Sequence, residues 1–282
     1  MKFLRLLIGS LFAALMLVAA PTASAIVDGK ADESHDYVVF VGQQVILPGG
    51  PPINTQACSG TLVAPTIVVT AAHCSLLPPG APPFPLCSAP GQVFCVAYVV
   101  RQGENMREPD AETTAQSFAR HPLFCATCSF LANHDLGVIT LKAPLEGPYA
   151  KLPRLDSVAK RFKKEKQTTI VGFGTDSAGA PPSSLGPRRE GKVEATLFGA
   201  NPNLLELPVP SKKNRDAVAC NGDSGGPLVK GRTLQAVISF GDTSCGGPTF
   251  AYRLDTDAAR SFLASFLDLG TSEGGDDDER DD

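Results

Sequence analysis

The stretch Cys220-Asn221-Gly222-Asp223-Ser224-Gly225-Gly226-Pro227-Leu228 sets a serine among small residues, where its hydroxyl stands uncrowded. A serine so placed is a candidate nucleophile. Its hydroxyl is weak at neutral pH and requires a nearby base together with a group that orients the base. Read alone, the stretch also satisfies G-x-S-x-G, the nucleophile elbow of α/β-hydrolase esterases, and it allows an incidental serine in a glycine-rich turn. The esterase arrangement needs its histidine after the serine. The last histidine, His134, precedes Ser224 by 90 residues, which argues against it.

The search for a base is short, because the chain has four histidines: His35, His73, His121 and His134. His73 lies in Val68-Val69-Thr70-Ala71-Ala72-His73-Cys74, where an apolar strand runs into small residues that let the backbone turn and the imidazole face a cleft. Asp135 precedes the apolar strand Leu136-Gly137-Val138-Ile139-Thr140-Leu141, so its carboxylate stands at the edge of a core and needs a partner. An imidazole donating its Nδ1 hydrogen to that carboxylate would present Nε2 to a serine. Singly, a structural histidine and a turn or N-cap aspartate are the commoner fates of such residues; the reading rests on the three together.

Farther out, Lys2 and Arg5, an apolar run from Leu6 to Ala20 and the small residues Ala23-Ser24-Ala25 form the pattern of an export signal cleaved after Ala25. The run of 15 residues is shorter than the roughly 20 that span a bilayer. Residues 1–25 are therefore expected to be removed and the mature chain secreted, extracellular or periplasmic, with no membrane partner afterwards. The 257 residues that remain suffice for one large domain or two small ones with buried cores. All eight cysteines lie in this part, and an even number in an exported chain favours disulfides.

The formal charge of −4 becomes −6 once Lys2 and Arg5 leave, but six acids and Arg280 crowd into Asp276 to Asp282, so the body stands near −1. Residues 268–282 read as a solvated, disordered tail, with cation binding as the alternative. The basic clusters Lys160–Lys166 and Lys212–Arg215 have no interleaved aromatic platform, so no nucleic acid is expected as partner.

Short β-rich runs recur at Val38–Val41, Gly60–Val63, Ile67–Thr70, Val93–Arg101, Leu136–Leu141, Thr168–Gly172, Leu228–Val229 and Leu234–Phe240, an all-β pattern. The 27 glycines and 24 prolines punctuate it as sandwiches and barrels require. A single helix is expected from about Thr256 to Leu269, where Phe262, Leu263, Phe266 and Leu267 recur at helical spacing behind Asp255 and Thr256 as N-cap candidates. Pro78–Pro90 holds six prolines and is expected as a stiff surface loop near His73.

Taken together, Ile26-Val27-Asp28-Gly29, TAAHC at Thr70–Cys74, HDLGVITL at His134–Leu141, GDSGGPL at Gly222–Leu228 and Ser239-Phe240-Gly241 resemble the trypsin-like (chymotrypsin-fold) serine proteases over nearly the whole mature chain. The order His, Asp, Ser and the separations of 62 and 89 residues fit that family. The resemblance implies an all-β fold of two six-stranded antiparallel β-barrels with a C-terminal helix. The peptidase domain would span 26–267, with barrels at about 26–150 and 151–255 and the helix at 256–267. It implies a secreted serine endopeptidase acting on protein or peptide substrates through an acyl-enzyme, without a metal or other cofactor.

By the same resemblance Ser224 attacks the scissile carbonyl, His73 takes its proton and returns it to the leaving amine, and Asp135 orients the imidazole. The amides of Gly222 and Ser224 match the oxyanion hole. A free amine on Ile26 would pair with Asp223, and because the expected signal cleavage falls directly before Ile26, signal peptidase itself would generate the active form. Val218, six residues before the nucleophile, falls at the base of the primary pocket, where an aspartate would select Lys or Arg. With Ser239, Phe240 and an open wall at Gly241, and with Thr249 narrowing the floor, a medium-sized apolar residue is expected before the scissile bond.

Cys58 with Cys74 and Cys220 with Cys245 match bridges of the family. Cys87 with Cys95 and Cys125 with Cys128 are paired by proximity alone, and other connectivities stay open. His121, Cys125, Cys128 and His134 also make a passable tetrahedral zinc pattern, disfavoured by export. The remaining alternative is a protease-like secreted binding module without activity. Such modules usually lack a triad residue, and His73, Asp135 and Ser224 are all present.

Overall fold

The computed structural model describes residues 26–77, 84–129, 133–180, 184–209 and 217–269. The expected export signal and most of the acidic tail lie outside the described residues. The strands are β1 (Lys30–Ala31), β2 (Val38–Ile46), β3 (Ile53–Ala64), β4 (Ile67–Thr70), β5 (Cys95–Gln102), β6 (Ala111–Arg120), β7 (Gly137–Leu141), β8 (Gln167–Gly172), β9 (Arg189–Glu194), β10 (Thr196–Leu197), β11 (Leu204–Leu207), β12 (Pro227–Lys230), β13 (Thr233–Gly241) and β14 (Thr249–Arg253). Two short helices, α1 (Ser157–Phe162) and α2 (Asp257–Leu263), and a 3-10 turn at Ala72–Ser75 complete the set.

Six strands close on themselves in the order β2-β3-β4-β7-β6-β5, with β5 pairing back onto β2. The other eight form one antiparallel sheet, β1-β9-β8-β12-β13-β14-β11-β10. Two bodies built from antiparallel strands, with a helix at the end, are the expected fold. The second is a half-barrel, and its outermost strands are two residues each, short edges that offer little template for pairing with another chain.

β-branched runs make the central strands, because such side chains fit a pleated, buried surface. All four residues of β4, Ile67-Val68-Val69-Thr70, are buried. One core cluster joins Val38, Leu62, Val68 and Ile139 of the closed barrel to Val171, Val229 and Val237 of the second sheet and to Phe173 just after β8, and the rings of Phe40 and Phe173 meet edge to face. A second cluster packs Ile26, Ile170, Leu205, Leu228 and Ile238 of the second body with Val158 and Phe162 of α1.

α2 begins where the helical spacing predicts it, with the Thr256 hydroxyl accepting from the Ala259 amide, and it buries Ala259 and Leu263. It is shorter than the expected 256–267, because after Leu263 the chain continues as turns. α1 was not expected. Its amides at Val158 and Ala159 are capped by the Asp255 carboxylate, 97 and 96 residues away, which local sequence cannot reveal. Of the proline-rich loop, Phe84–Pro90 is described; Cys87–Pro90 line a cavity against Ile46–Leu47 and Gly49–Pro51, separate from the one that holds His73 and Ser224.

Candidate active site

β4 and β7 pair antiparallel with Thr70 opposite Gly137, which sets the turn after β4 beside the residues entering β7. His73 and Asp135 meet there. The His73 amide donates to Asp135 Oδ1 at 2.8 Å and the ring Nδ1 lies 2.7 Å from Oδ2. The Ser239 hydroxyl donates to the same Oδ2 at 2.5 Å. An ionised carboxylate only accepts, so the ring hydrogen sits on Nδ1 and Nε2 is left as an acceptor.

Burial alone would push the Asp135 carboxyl up, but the charge and hydrogen bonds of His73, with the Ser239 bond, hold it below its ordinary value. Burial would likewise lower His73, and the Asp135 charge and hydrogen bond outweigh it, so the imidazole is a stronger base than usual. The pair is a buried anion polarising a more basic imidazole.

Ser224 comes from the second body, in the turn before β12. It lines a cavity of about 320 Å³ together with His73, Gly222 and Ser239. Among the described residues no hydrogen bond joins its hydroxyl to the imidazole; such contacts are often loose until substrate is bound. The loop around it is tightly anchored: Asn221, Asp223 and Ser224 carbonyls accept from the amides of Thr175 (2.8 Å), Gly226 (2.9 Å) and Ser59 (2.8 Å), and the Gly225 amide donates to Ile238 (2.8 Å). Gly222 has φ of +98°, and a Cβ there would sit 2.8 Å from Gly174 Cα, so the position demands glycine.

Asp223 is fully buried, and burial pushes its carboxyl up to about 7 against hydrogen bonds from the amides of Cys220, Gly174 and Ile26. The Gly174 and Cys220 bonds are each 2.8 Å. Ile26, also fully buried, is thus already seated against Asp223, with its backbone at φ of +55°.

Phe240, Gly241 and Thr249 line the same cavity as Ser224, with Ala219 and Ile238. Val218 does not line it; its backbone pairs with Val27 through reciprocal bonds of 2.9 and 3.1 Å. Gly241 and Thr249 are opposite partners in the β13–β14 ladder, and a Cβ on Gly241 would meet Thr249 Oγ1 at 3.2 Å. The acid in the lining, Asp242, is bound by the Ser244 hydroxyl and by the Ser244, Gly246 and Gly247 amides, which lower its pKa.

Cys58–Cys74, Cys87–Cys95, Cys125–Cys128 and Cys220–Cys245 are disulfide-bonded. The Cys125–Cys128 bond takes both thiolates out of the zinc pattern, and His121 and His134 stack on each other at 4.7 Å between ring centroids. Sequence reading missed Ser59, an unremarkable strand residue beside Cys58. It also took Ser239 for a residue of the substrate pocket alone, when its hydroxyl holds Asp135.

The Trypsin family model matches residues 26–260. A trypsin of Saccharopolyspora erythraea is 27% identical over 206 residues, covering 70% of this chain and 80% of that protein. Human kallikrein-7 is 29% identical over 245 residues, 79% of each. In fold the chain is similar to a solved HL collagenase, with a TM-score of 0.60 at 17% identity over 85% of this chain and 97% of that one. A closed barrel and a half-barrel, with His73 and Ser224 lining one cavity and Asp135 bonded behind His73, accord with these likenesses, and the chain belongs to the trypsin family of serine endopeptidases.

Proposed function

We propose that this endopeptidase acts through His73, Asp135 and Ser224 and cleaves after a medium-sized apolar residue. The Ser224 hydroxyl attacks the scissile carbonyl carbon while His73 Nε2 takes its proton. The oxyanion is held by the amides of Gly222 and Ser224. Collapse breaks the C–N bond, the imidazolium gives its proton to the leaving amine, and water then hydrolyses the acyl-enzyme by the same route. The observation that carries the reading is the two-point hold of Asp135 on His73, with Ser224 in the same cavity.

An apolar preference is supported by Ala219, Ile238 and Phe240 in the lining and by Asp242 being engaged in its own loop. Thr249 opposite Gly241 limits the size.

The chain is proposed to be secreted and to become active when cleavage after Ala25 frees the Ile26 amine to pair with Asp223. No helix among the described residues is long and apolar enough to cross a membrane. The test is labelling of a chain beginning at Ile26 by a fluorophosphonate, with Ser224→Ala as control. Stoichiometric labelling lost in the control supports the triad, and no labelling of the parent would sink it. A peptide-library cleavage profile dominated by Lys or Arg would contradict the stated preference, and intact mass of secreted protein beginning elsewhere than Ile26 would contradict the activation route.

A further inference from the structure

One buried side chain from the closed barrel reaches across to the loop that carries the nucleophile, and the triad makes no use of it. Ser59, in β3, is fully buried. Its amide donates to the Ser224 carbonyl at 2.8 Å. Its hydroxyl lies 2.9 Å from the Gly222 carbonyl and 3.0 Å from the Phe173 amide nitrogen. The direction of the hydroxyl follows from its partners: an amide N–H only donates and a carbonyl only accepts, so Oγ accepts from Phe173 and gives its single hydrogen to Gly222. Ser59 thereby holds the carbonyls of both residues whose amides are assigned to the oxyanion.

Gly222 is the place where such a hold matters. Having no Cβ and a φ of +98°, it offers little local resistance to rotation of the peptide units on either side. The preceding unit is tied by the Thr175 amide on the Asn221 carbonyl at 2.8 Å. The following unit is tied by the Asp223 amide on the Cys220 carbonyl at 3.0 Å and, at its oxygen end, by the Ser59 hydroxyl. Any residue but proline at 59 could supply the amide for Ser224. The hydroxyl bond requires the side chain.

We propose that Ser59 is a positioning residue for the oxyanion site: by holding the Gly222 carbonyl it fixes the peptide unit that follows Gly222 and limits rotation about this residue, so that the preceding unit, tied by Thr175, keeps the Gly222 amide aimed into the cavity beside Ser224. This rests on the assignment of the Gly222 and Ser224 amides as oxyanion donors. Ser59 touches no substrate, so its effect is felt in the transition state and not in ground-state binding.

The test compares the chain beginning at Ile26 with its Ser59→Ala variant on three readouts. These are kcat and KM on a peptide amide, affinity for a peptidyl trifluoromethyl ketone, which forms a hemiketal oxyanion on Ser224, and affinity for the corresponding peptidyl alcohol, which cannot. Outright loss of an oxyanion donor lowers kcat by about 100- to 1,000-fold; Ser59→Ala, acting through the backbone, is expected to lose about 10- to 100-fold in kcat and in ketone affinity. KM and alcohol affinity should stay within about twofold, the signature of an interaction made in the transition state.

A purely structural role would lower the melting temperature without separating the two inhibitors. A folded Ser59→Ala variant with parental kcat and ketone affinity overturns the inference. Should that variant not fold, Ser59→Cys fills the same space with a poorer donor and is expected to lose kcat and ketone affinity together while sparing the alcohol; no such loss overturns the inference equally. A parent chain that neither turns over nor labels removes the triad reading and this one with it, whereas an active parent with an unaffected folded variant removes this one alone.

Discussion

Asp135 receives three hydrogen bonds, two from His73 and one from Ser239, and this arrangement governs the imidazole's basicity. In the proposed mechanism His73 must be neutral to accept the serine proton, so kcat/KM rises with pH through its pKa. Burial lowers that pKa and Asp135 raises it further, placing the acid limb above the ordinary value of about 6.5. Asp135→Asn should move the limb to lower pH and reduce kcat by about 10,000-fold, the loss already known for this type of substitution in the family. Steady-state rates across pH check both. Ser224→Ala should reduce kcat by about a million-fold, read with a sensitive amide substrate. His73, Asp135 and Ser224 could be singled out as candidates because His73 and Ser224 lie among small residues, Asp135 precedes an apolar strand, and their order argues against the rival hydrolase. Ser59 was illegible, since nothing in Cys58-Ser59-Gly60 indicates a partner 163 residues away.

At the scale of elements, the apolar β-branched runs of β2, β4, β7, β8 and β13 announced themselves. β6 and β9 did not, because Ala111–Arg120 and Arg189–Glu194 mix Ala, Thr, Glu and Lys with few large apolar residues. They are strands because neighbours on both sides complete their hydrogen bonding: β6 lies between β5 and β7, and β9 between β8 and β1. Amphipathic spacing and a capping threonine located α2, whereas α1 takes its cap from the distant Asp255. Thr256→Ala leaves the Ala259 amide without its side-chain acceptor and should cost about 1 kcal/mol. In a domain of this size that lowers the melting temperature by about 2–4 °C, measurable by calorimetry.

Across the whole molecule, the N-terminal segment is tied down twice. Arg188, fully buried, binds Asp32 Oδ2 at 2.6 Å, Asp36 Oδ1 at 2.8 Å and the Gly103 carbonyl at 3.2 Å, joining the N-terminal segment, the closed barrel and the entrance to β9. Burial would raise the Asp32 carboxyl, but His35 and Arg188 hold it well below the usual carboxylate range. Its contribution to stability is therefore present above about pH 4 and is lost as pH falls toward the lowered folded value. Arg188→Ala leaves the buried Asp32 carboxylate to His35 and Ser34 alone and should cost about 3 kcal/mol by urea unfolding at pH 7.

Asp223 has the opposite sign. With Ile26 still in peptide linkage its folded pKa is raised to about 7, so its contribution is complete below about pH 4 and is lost as pH rises through 7. In the proposed activation, a free Ile26 ammonium would supply the missing counter-charge. The chain beginning at Ile26 should therefore melt higher than the uncleaved chain, by a margin that grows from pH 5 to 7.5 and shrinks above about pH 8 as the α-amine loses its proton, followed by calorimetry. The sequence by itself determined the β-rich class, the order of the three chemical residues and the number of cysteines, because periodicity, turn residues and composition act locally. Only the tertiary structure decided that the Ser239 and Ser59 hydroxyls bond Asp135 and Gly222 and that Val218 pairs with Val27, because burial makes those groups seek partners far along the chain.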